Sequence, residues 1–138
     1  NKHIMNRDKL SELYKKYNLT KDDVFKHQHY VIITRTGIEK IEAQENILIK
    51  YKSIVNQPNF AVIQAFGELN DRKMETFGSA LKGANYKDGN TNTWYVAEMA
   101  EKRAFSRIVL KLTGFYALGV FGEDESEDFK KKIKTIKE

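Results

Sequence analysis

Three basic side chains recur at four-residue spacing in the last third of the chain. Arg103, Arg107 and Lys111 lie within residues 94–113, where the apolar residues follow a helical period. Each basic residue lies about one helical turn from the next, and the pitch of a turn, about 5.4 Å, roughly matches neighbouring phosphates in a single strand. The row indicates a phosphate-binding ridge. A solvated helix face that pairs its charges within the helix explains the same pattern equally well.

Four further lysines and a tyrosine could extend this cationic surface. They are Lys50, Lys52, Lys82, Tyr86 and Lys87. A cationic groove with aromatic side chains nearby is the general way in which proteins bind single strands without sequence preference. Lysines on exposed strands also discourage aggregation between sheet edges, so each of these residues alone is weak support for an interface.

Two histidines, His27 and His29, have the spacing that places both on one face of a strand. A shared metal ion would need a third and a fourth ligand, and the chain's remaining histidine is His3. We therefore expect no metal site here, and a polar strand end is the simpler interpretation.

The sequence lacks the motifs of the common catalytic classes. It has no cysteine, no G-x-S-x-G motif and neither of the glycine-rich phosphate-binding motifs. A magnesium-dependent nuclease would need converging carboxylates, and the middle of the chain offers Glu68, Asp71 and Glu75, two of which flank a turn. The sequence therefore predicts a protein that is not an enzyme and that needs no cofactor.

The elements that must position these residues begin with two helices and a strand. Residues 6–17 predict an amphipathic helix and residues 30–34 predict a strand. Between them, Thr20 and Asp23 resemble a capping box, which predicts a short helical turn through the following residues to Phe25. A second helix is expected to begin at Thr36-Gly37.

The middle of the chain changes to the period of strands. Three segments are predicted to be strands, namely residues 47–55, 60–69 and 73–82. The turns between them are marked by Pro58 and by Asn70-Asp71. Turn signals this close leave no room for a helix. The segment therefore predicts a three-stranded antiparallel meander. Its connection to the next element is a polar loop of eleven residues, which is longer than most connections.

A long helix over residues 94–113, ended by Gly114, follows the meander. It is apolar around much of its circumference and should be largely buried, and a helical wheel places Glu98 and Glu101 within the main apolar sector. Residues 115–121 read as a last short strand or packed extended segment. The fold class is therefore predicted as α+β, with the meander packed on one long helix and with helices preceding it.

Composition and charge fit one domain with a polyanionic partner. The 138 residues are 41% hydrophobic and carry a net charge of +5. The excess is +2 in each of residues 1–46, 47–93 and 94–121 and −1 in residues 122–138, so any nucleic-acid surface must be assembled by folding. We predict a single domain over residues 1–121 followed by a charged tail that is partly helical or disordered. The sequence lacks a signal-peptide pattern and ~18 consecutive apolar residues, which predicts a soluble intracellular protein.

The most distinctive stretch is residues 94–128, WYVAEMAEKRAFSRIVLKLTGFYALGVFGEDESED. It resembles the helix of small phage-encoded recombination proteins, in which an A-E-K-R-A-x-x-R core precedes an aliphatic run and Gly. The predicted element order also resembles the β-β-β-α module of single-strand annealing proteins. That superfamily includes the Erf-type phage recombinases and the eukaryotic Rad-fifty-two annealers, and the resemblance covers roughly residues 30–121.

The resemblance implies a protein that binds single-stranded DNA, promotes annealing without nucleotide hydrolysis and assembles into homo-oligomeric rings or filaments. It further implies the cytoplasm of a bacterial or phage-infected bacterial cell. Carried over by motif, DNA contact falls first on Lys102 and Arg103 and then on Arg107. The helical wheel instead favours Arg103, Arg107 and Lys111 as a set, since Lys102 lies about 100° away from Arg103. The tail could bind a partner such as a single-strand-binding protein.

Two other classes of function stay open at this point. A sheet with a helix and exposed tyrosines also suits an RNA-binding α+β module, although no strand of the R/K-G-F-G-F-V type occurs. A small non-catalytic assembly protein without a nucleic-acid role would carry the same elements.

Overall fold

A computed structural model describes residues 2–27, 30–83 and 94–125, with the backbone alone for residues 2–6. In chain order the elements are α1 (Lys2–Lys16), β1 (Val24–His27), β2 (Tyr30–Ile33), α2 (Arg35–Glu45), β3 (Leu48–Gln57), β4 (Phe60–Leu69), β5 (Arg72–Leu81), α3 (Val96–Leu112) and β6 (Val120–Gly122). The predicted α+β class is confirmed, with a three-stranded antiparallel sheet packed on one long helix and with helices before it.

The sheet β3-β4-β5 is a regular meander interrupted by one irregularity. Each strand pairs antiparallel with the next, and the β3–β4 register shifts between Ser53 and Val55. Such a bulge bends a strand locally and increases its twist. Because β4 is central, β3 and β5 form the two edges of this sheet.

Helix α3 lies very close to one face of this sheet because the residues beneath it are small. Alternate positions of β4 and β5, such as Ala61, Ala65 and Ala80, are buried, and Gly78 lies directly under the helix. A Cβ atom built on Gly78 would collide with the backbone of Ala100 and Ala104. The absence of a side chain at Gly78 thus sets the distance between helix and sheet.

A second sheet, ordered β1-β2-β6, lies on another side of α3. Strand β6 runs parallel to β2, with Val31 opposite Val120, and Gly122 packs against Ser106 of the helix. With a sheet against two of its sides, α3 is largely buried, as predicted. The wheel was wrong for Glu98 and Glu101, which are exposed on the part of α3 that neither sheet covers.

The predicted helical turn through Phe25 is wrong. The backbone N–H of Thr20 donates to Asp23 Oδ2 at 2.9 Å, as a capping box requires, but the turn ends there and β1 begins at Val24. Pairing explains the difference, because Val24 lies opposite Ile33 and Phe25 opposite Ile32 across an antiparallel ladder. β-branched and aromatic side chains favour that environment over a helical one.

The segment after β6 folds back onto the helices. Residues Glu123–Glu125 form a single 3₁₀ turn, and Glu125 is buried. The Asp124 carboxylate accepts a hydrogen bond from Ser106 Oγ at 2.9 Å and lies 3.4 Å from Arg35 Nη1. The folded body therefore includes four residues beyond the predicted domain end at residue 121. None of the described helices is long and apolar enough to cross a membrane.

Candidate nucleic-acid interface

Arg103, the first residue of the predicted cationic row, is directed into the fold. It is 3% exposed. Its Nε donates to the Asp124 carbonyl oxygen at 3.1 Å and its Nη1 donates to the Ser79 carbonyl oxygen at 3.0 Å. The guanidinium therefore joins the edge of β5 to the turn after β6.

Arg107 and Lys111 continue this arrangement along β5. Arg107 Nη1 donates to the Phe77 carbonyl oxygen at 3.0 Å, and its Nε lies 3.0 Å from Glu125 Oε1. Lys111 Nζ donates to Thr76 Oγ1 at 3.2 Å. Both cations also lie beside the ring of Tyr116, at 5.9 and 5.5 Å from its centroid.

The spacing of the row matches the sheet edge that it covers. Arg103 and Arg107 are four helical residues apart, about 6 Å along the axis. Ser79 and Phe77 are two strand residues apart, about 6.6 Å, and their carbonyl groups point out of the same edge. The carbonyl groups at the edge of β5 therefore account for the four-residue spacing of the basic row, which from the sequence alone indicates phosphate binding. A phosphate could reach Arg103 or Arg107 by replacing these internal bonds.

Lys102 is exposed but lies apart from the other predicted lysines. It is two residues from both Ala100 and Ala104, which face the sheet, so it projects from the opposite side of α3. The structure therefore does not bring Lys102 together with Lys50 and Lys52.

Lys50 and Lys52 lie on the outer face, which we define as the side of β3-β4-β5 turned away from α3. No other element of the described residues covers this face. Lys50 is in register with Phe66, and Lys52 is in register with Gln64 and Phe77. The exposed larger side chains of the outer face are Leu48, Lys50, Lys52, Gln57, Phe66, Lys73, Glu75, Phe77 and Leu81.

The acidic residues of the outer face are confined to one end. Glu68 and Glu75 lie there with Lys73 around a depression of about 450 Å³. From the row that contains Gln64 to the row that contains Phe60, about 13 Å along β4, the outer face carries no carboxylate. That half combines lysine with aromatic and aliphatic side chains.

Beyond this acid-free half lies a cation–aromatic pair, of which the sequence pattern predicts only Lys82 as a binding residue. Lys82 follows β5 directly, and its ammonium lies 4.1 Å from the centroid of the Trp94 ring. Trp94 and Tyr95 are 67% and 69% exposed. The signal was present as the chain's one tryptophan beside a tyrosine. The helical period over residues 94–113 assigns both residues to the helix, whereas the helix begins at Val96.

Several predicted residues fall outside the part of the chain that the structure describes. These are Tyr86, Lys87, His29 and the side chain of His3. Among the described residues, no group of three or more His, Cys, Asp or Glu side chains is arranged to hold a metal ion.

Tyr51 lies on the side of β3 nearer to α3, and its phenol is neutral at neutral pH, so it adds no negative charge near the sheet. Burial raises the pKa of Tyr51 to about 12, with the nearby Glu101 carboxylate acting in the same direction. The outer face therefore offers ammonium groups for phosphates and aromatic rings for bases.

No protein-family model matches the chain, and comparisons with curated proteins and with solved structures likewise give no match.

Proposed function

We propose that this chain is a non-catalytic protein that binds single-stranded DNA on its outer face and promotes the annealing of complementary strands. The supporting observation is the open acid-free half of the outer face, where Lys52 and Phe77 lie in one register row. Lys50 lies one row further along the same strand, in the row of Phe66 and Glu75, and adds a second ammonium group at the border of the acid-free half. Lysines hold phosphates, and exposed rings accept any base, so sequence preference should be small.

The contacts of one copy are few, so assembly is part of the proposal. Linking several weakly binding subunits along one strand raises overall affinity without any new contact within a subunit. The two edges of the sheet, β3 and β5, are not equally available for contact with another subunit. Basic side chains of α3 cover part of the β5 edge. Among the described residues, none hydrogen-bonds to the backbone along the free edge of β3, the edge that does not pair with β4.

Fluorescence anisotropy with a labelled single-stranded oligonucleotide at several salt concentrations tests the proposal. Replacing Lys50 and Lys52 together by Ser should weaken binding roughly 10-fold at low salt and reduce the salt slope by ~1.4, because two phosphate contacts are lost. The matched control replaces Lys21 and Lys26, which are exposed and lie in the turn before β1 and in β1 itself. It removes the same charge and should leave the slope unchanged.

Two outcomes would contradict the proposal. One is no salt-dependent binding by the wild-type chain at micromolar concentration. The other is an equal loss in the two double variants, which would mean that net charge acts and the outer face does not. Annealing is measured separately, by the rate at which two complementary labelled strands pair with and without the protein.

A second candidate function is RNA binding, favoured by Phe66 and Phe77 on neighbouring strands of an open sheet. Their positions are diagonal, since Phe66 pairs with Glu75 and Phe77 with Gln64. Aromatic side chains so placed suit stacking of unpaired RNA bases. Competition between DNA and RNA oligonucleotides of the same sequence separates the candidates, and DNA is expected to compete better.

A further inference from the structure

The aromatic pair at the start of α3 is exposed to an extent that packing does not explain. Trp94 is 67% exposed, although tryptophan carries the largest apolar surface of any side chain and the core nearby begins at Val96. The one described partner of the Trp94 ring is the Lys82 ammonium, 4.1 Å from its centroid. The ring is therefore held by a cation while much of its surface stays in water.

A cation beside an exposed indole ring provides both parts of a nucleotide site. The ring stacks on a base, since every base has a π face, and the ammonium attracts a neighbouring phosphate. The location is compatible with this chemistry, because Lys82 directly follows Leu81 at the acid-free end of the sheet. Alternation along the strand turns the Lys82 side chain to the α3 side, so a nucleic-acid strand on the outer face reaches the pair by passing over that end.

We propose that Trp94 is a stacking site for one unpaired nucleobase, with Lys82 binding the adjoining phosphate. This inference rests on the proposed function and names the group recognised just beyond the acid-free end of the outer face. Bases within a duplex are stacked on each other and are not available to Trp94. The site would therefore favour single strands over the annealed product.

The chain has one tryptophan, so its fluorescence reports on Trp94 alone. The probes are an oligothymidylate and an abasic deoxyribose-phosphate strand of the same length and charge. Stacking should quench Trp94 emission with oligothymidylate and leave it nearly unchanged with the abasic strand. By anisotropy, Trp94→Ala should lower affinity for oligothymidylate about 10-fold, and Trp94→Phe should restore part of it.

Phe25→Ala is the matched control, because Phe25 is an exposed aromatic residue on β1 of the other sheet. Its affinity should stay within twofold of wild type. Unchanged emission with oligothymidylate that binds by anisotropy would overturn the stacking inference and leave the proposed function standing. Equal quenching by both probes would also overturn it, since the phosphate alone would then perturb the ring. Absence of binding by anisotropy would reject the proposed function and the stacking site together.

Discussion

For Arg103 the sequence predicts the helix and the basic row correctly, but not the direction in which the side chain points. The period of the basic row was evident from the sequence, and so was the helix that carries it. A helical wheel, however, gives angles between side chains and not the position of a sheet edge around the helix. Carbonyl oxygens of β5 and the turn after β6 provide partners that exist only in the folded chain. The internal pairing of Arg103 therefore could not be predicted from the pattern.

The internal contacts of Arg103 make it a stability residue in this fold. Arg103→Ala should lower the free energy of unfolding by about 3 kcal/mol, because two carbonyl groups lose a charged donor in a buried setting. Lys102→Ala is the matched control, as it removes one adjacent charge from an exposed position and should change stability by less than about 0.5 kcal/mol. Urea denaturation of the three proteins measures the difference. Equal stability of the two variants would contradict the structural role.

At the scale of elements, the predictions succeeded where local pattern and packing agree. Strand β4 was predicted over residues 60–69 and is found at Phe60–Leu69, because apolar alternation and two turns define it locally. The second sheet was not foreseen. Strand β6 has three residues and pairs with β2, some ninety positions earlier, and no local period reports such pairing. Residues 115–121 accordingly contain a 3₁₀ turn, Tyr116–Leu118, before that short strand.

The contact between α3 and β5 depends on one missing side chain. Gly78→Ala should destabilise the protein by about 3 kcal/mol, because the added methyl group meets the backbone of Ala100 and Ala104, which cannot rotate away. Gly67→Ala is the comparison. Its added methyl group meets side-chain atoms of the buried Ile108 and Leu112, which adjust at lower cost than a helix backbone, so a smaller loss of about 1 kcal/mol is expected. Thermal unfolding ranks the two variants, and a reversed order would contradict the close approach at Gly78.

At the scale of the whole molecule, the candidate site follows from which surfaces the fold leaves uncovered. Strand periodicity placed Lys50 and Lys52 on one face, and that much could be predicted from the sequence. Which face α3 covers is decided by small residues such as Ala61 and Gly78, and this became evident only from the packing. The same packing leaves the outer face open and gives the sheet two unlike edges.

The unlike edges predict how copies would assemble under the proposed function. We expect contact through β3, because basic side chains already occupy carbonyl groups of β5. The chain has no cysteine, so Ser53→Cys on β3 and Ser79→Cys on β5 each provide a single attachment point for a bulky maleimide–polyethylene glycol. Both positions are exposed, and both substitutions are conservative.

Light scattering should then show that the label at position 53 shifts the protein toward monomers, whereas the label at position 79 leaves its mass unchanged apart from the added polymer. Annealing should weaken with the label at position 53, since multivalent contact along one strand needs neighbouring subunits. The label at position 79 is a control for mass alone, because Ser79 pairs with Val62 on the outer face and a polymer there would cover the proposed DNA surface. Dissociation by the label at position 79 alone would assign assembly to the opposite edge. A monomer at all concentrations, with and without DNA, would contradict assembly itself and leave the outer face to act within a single copy.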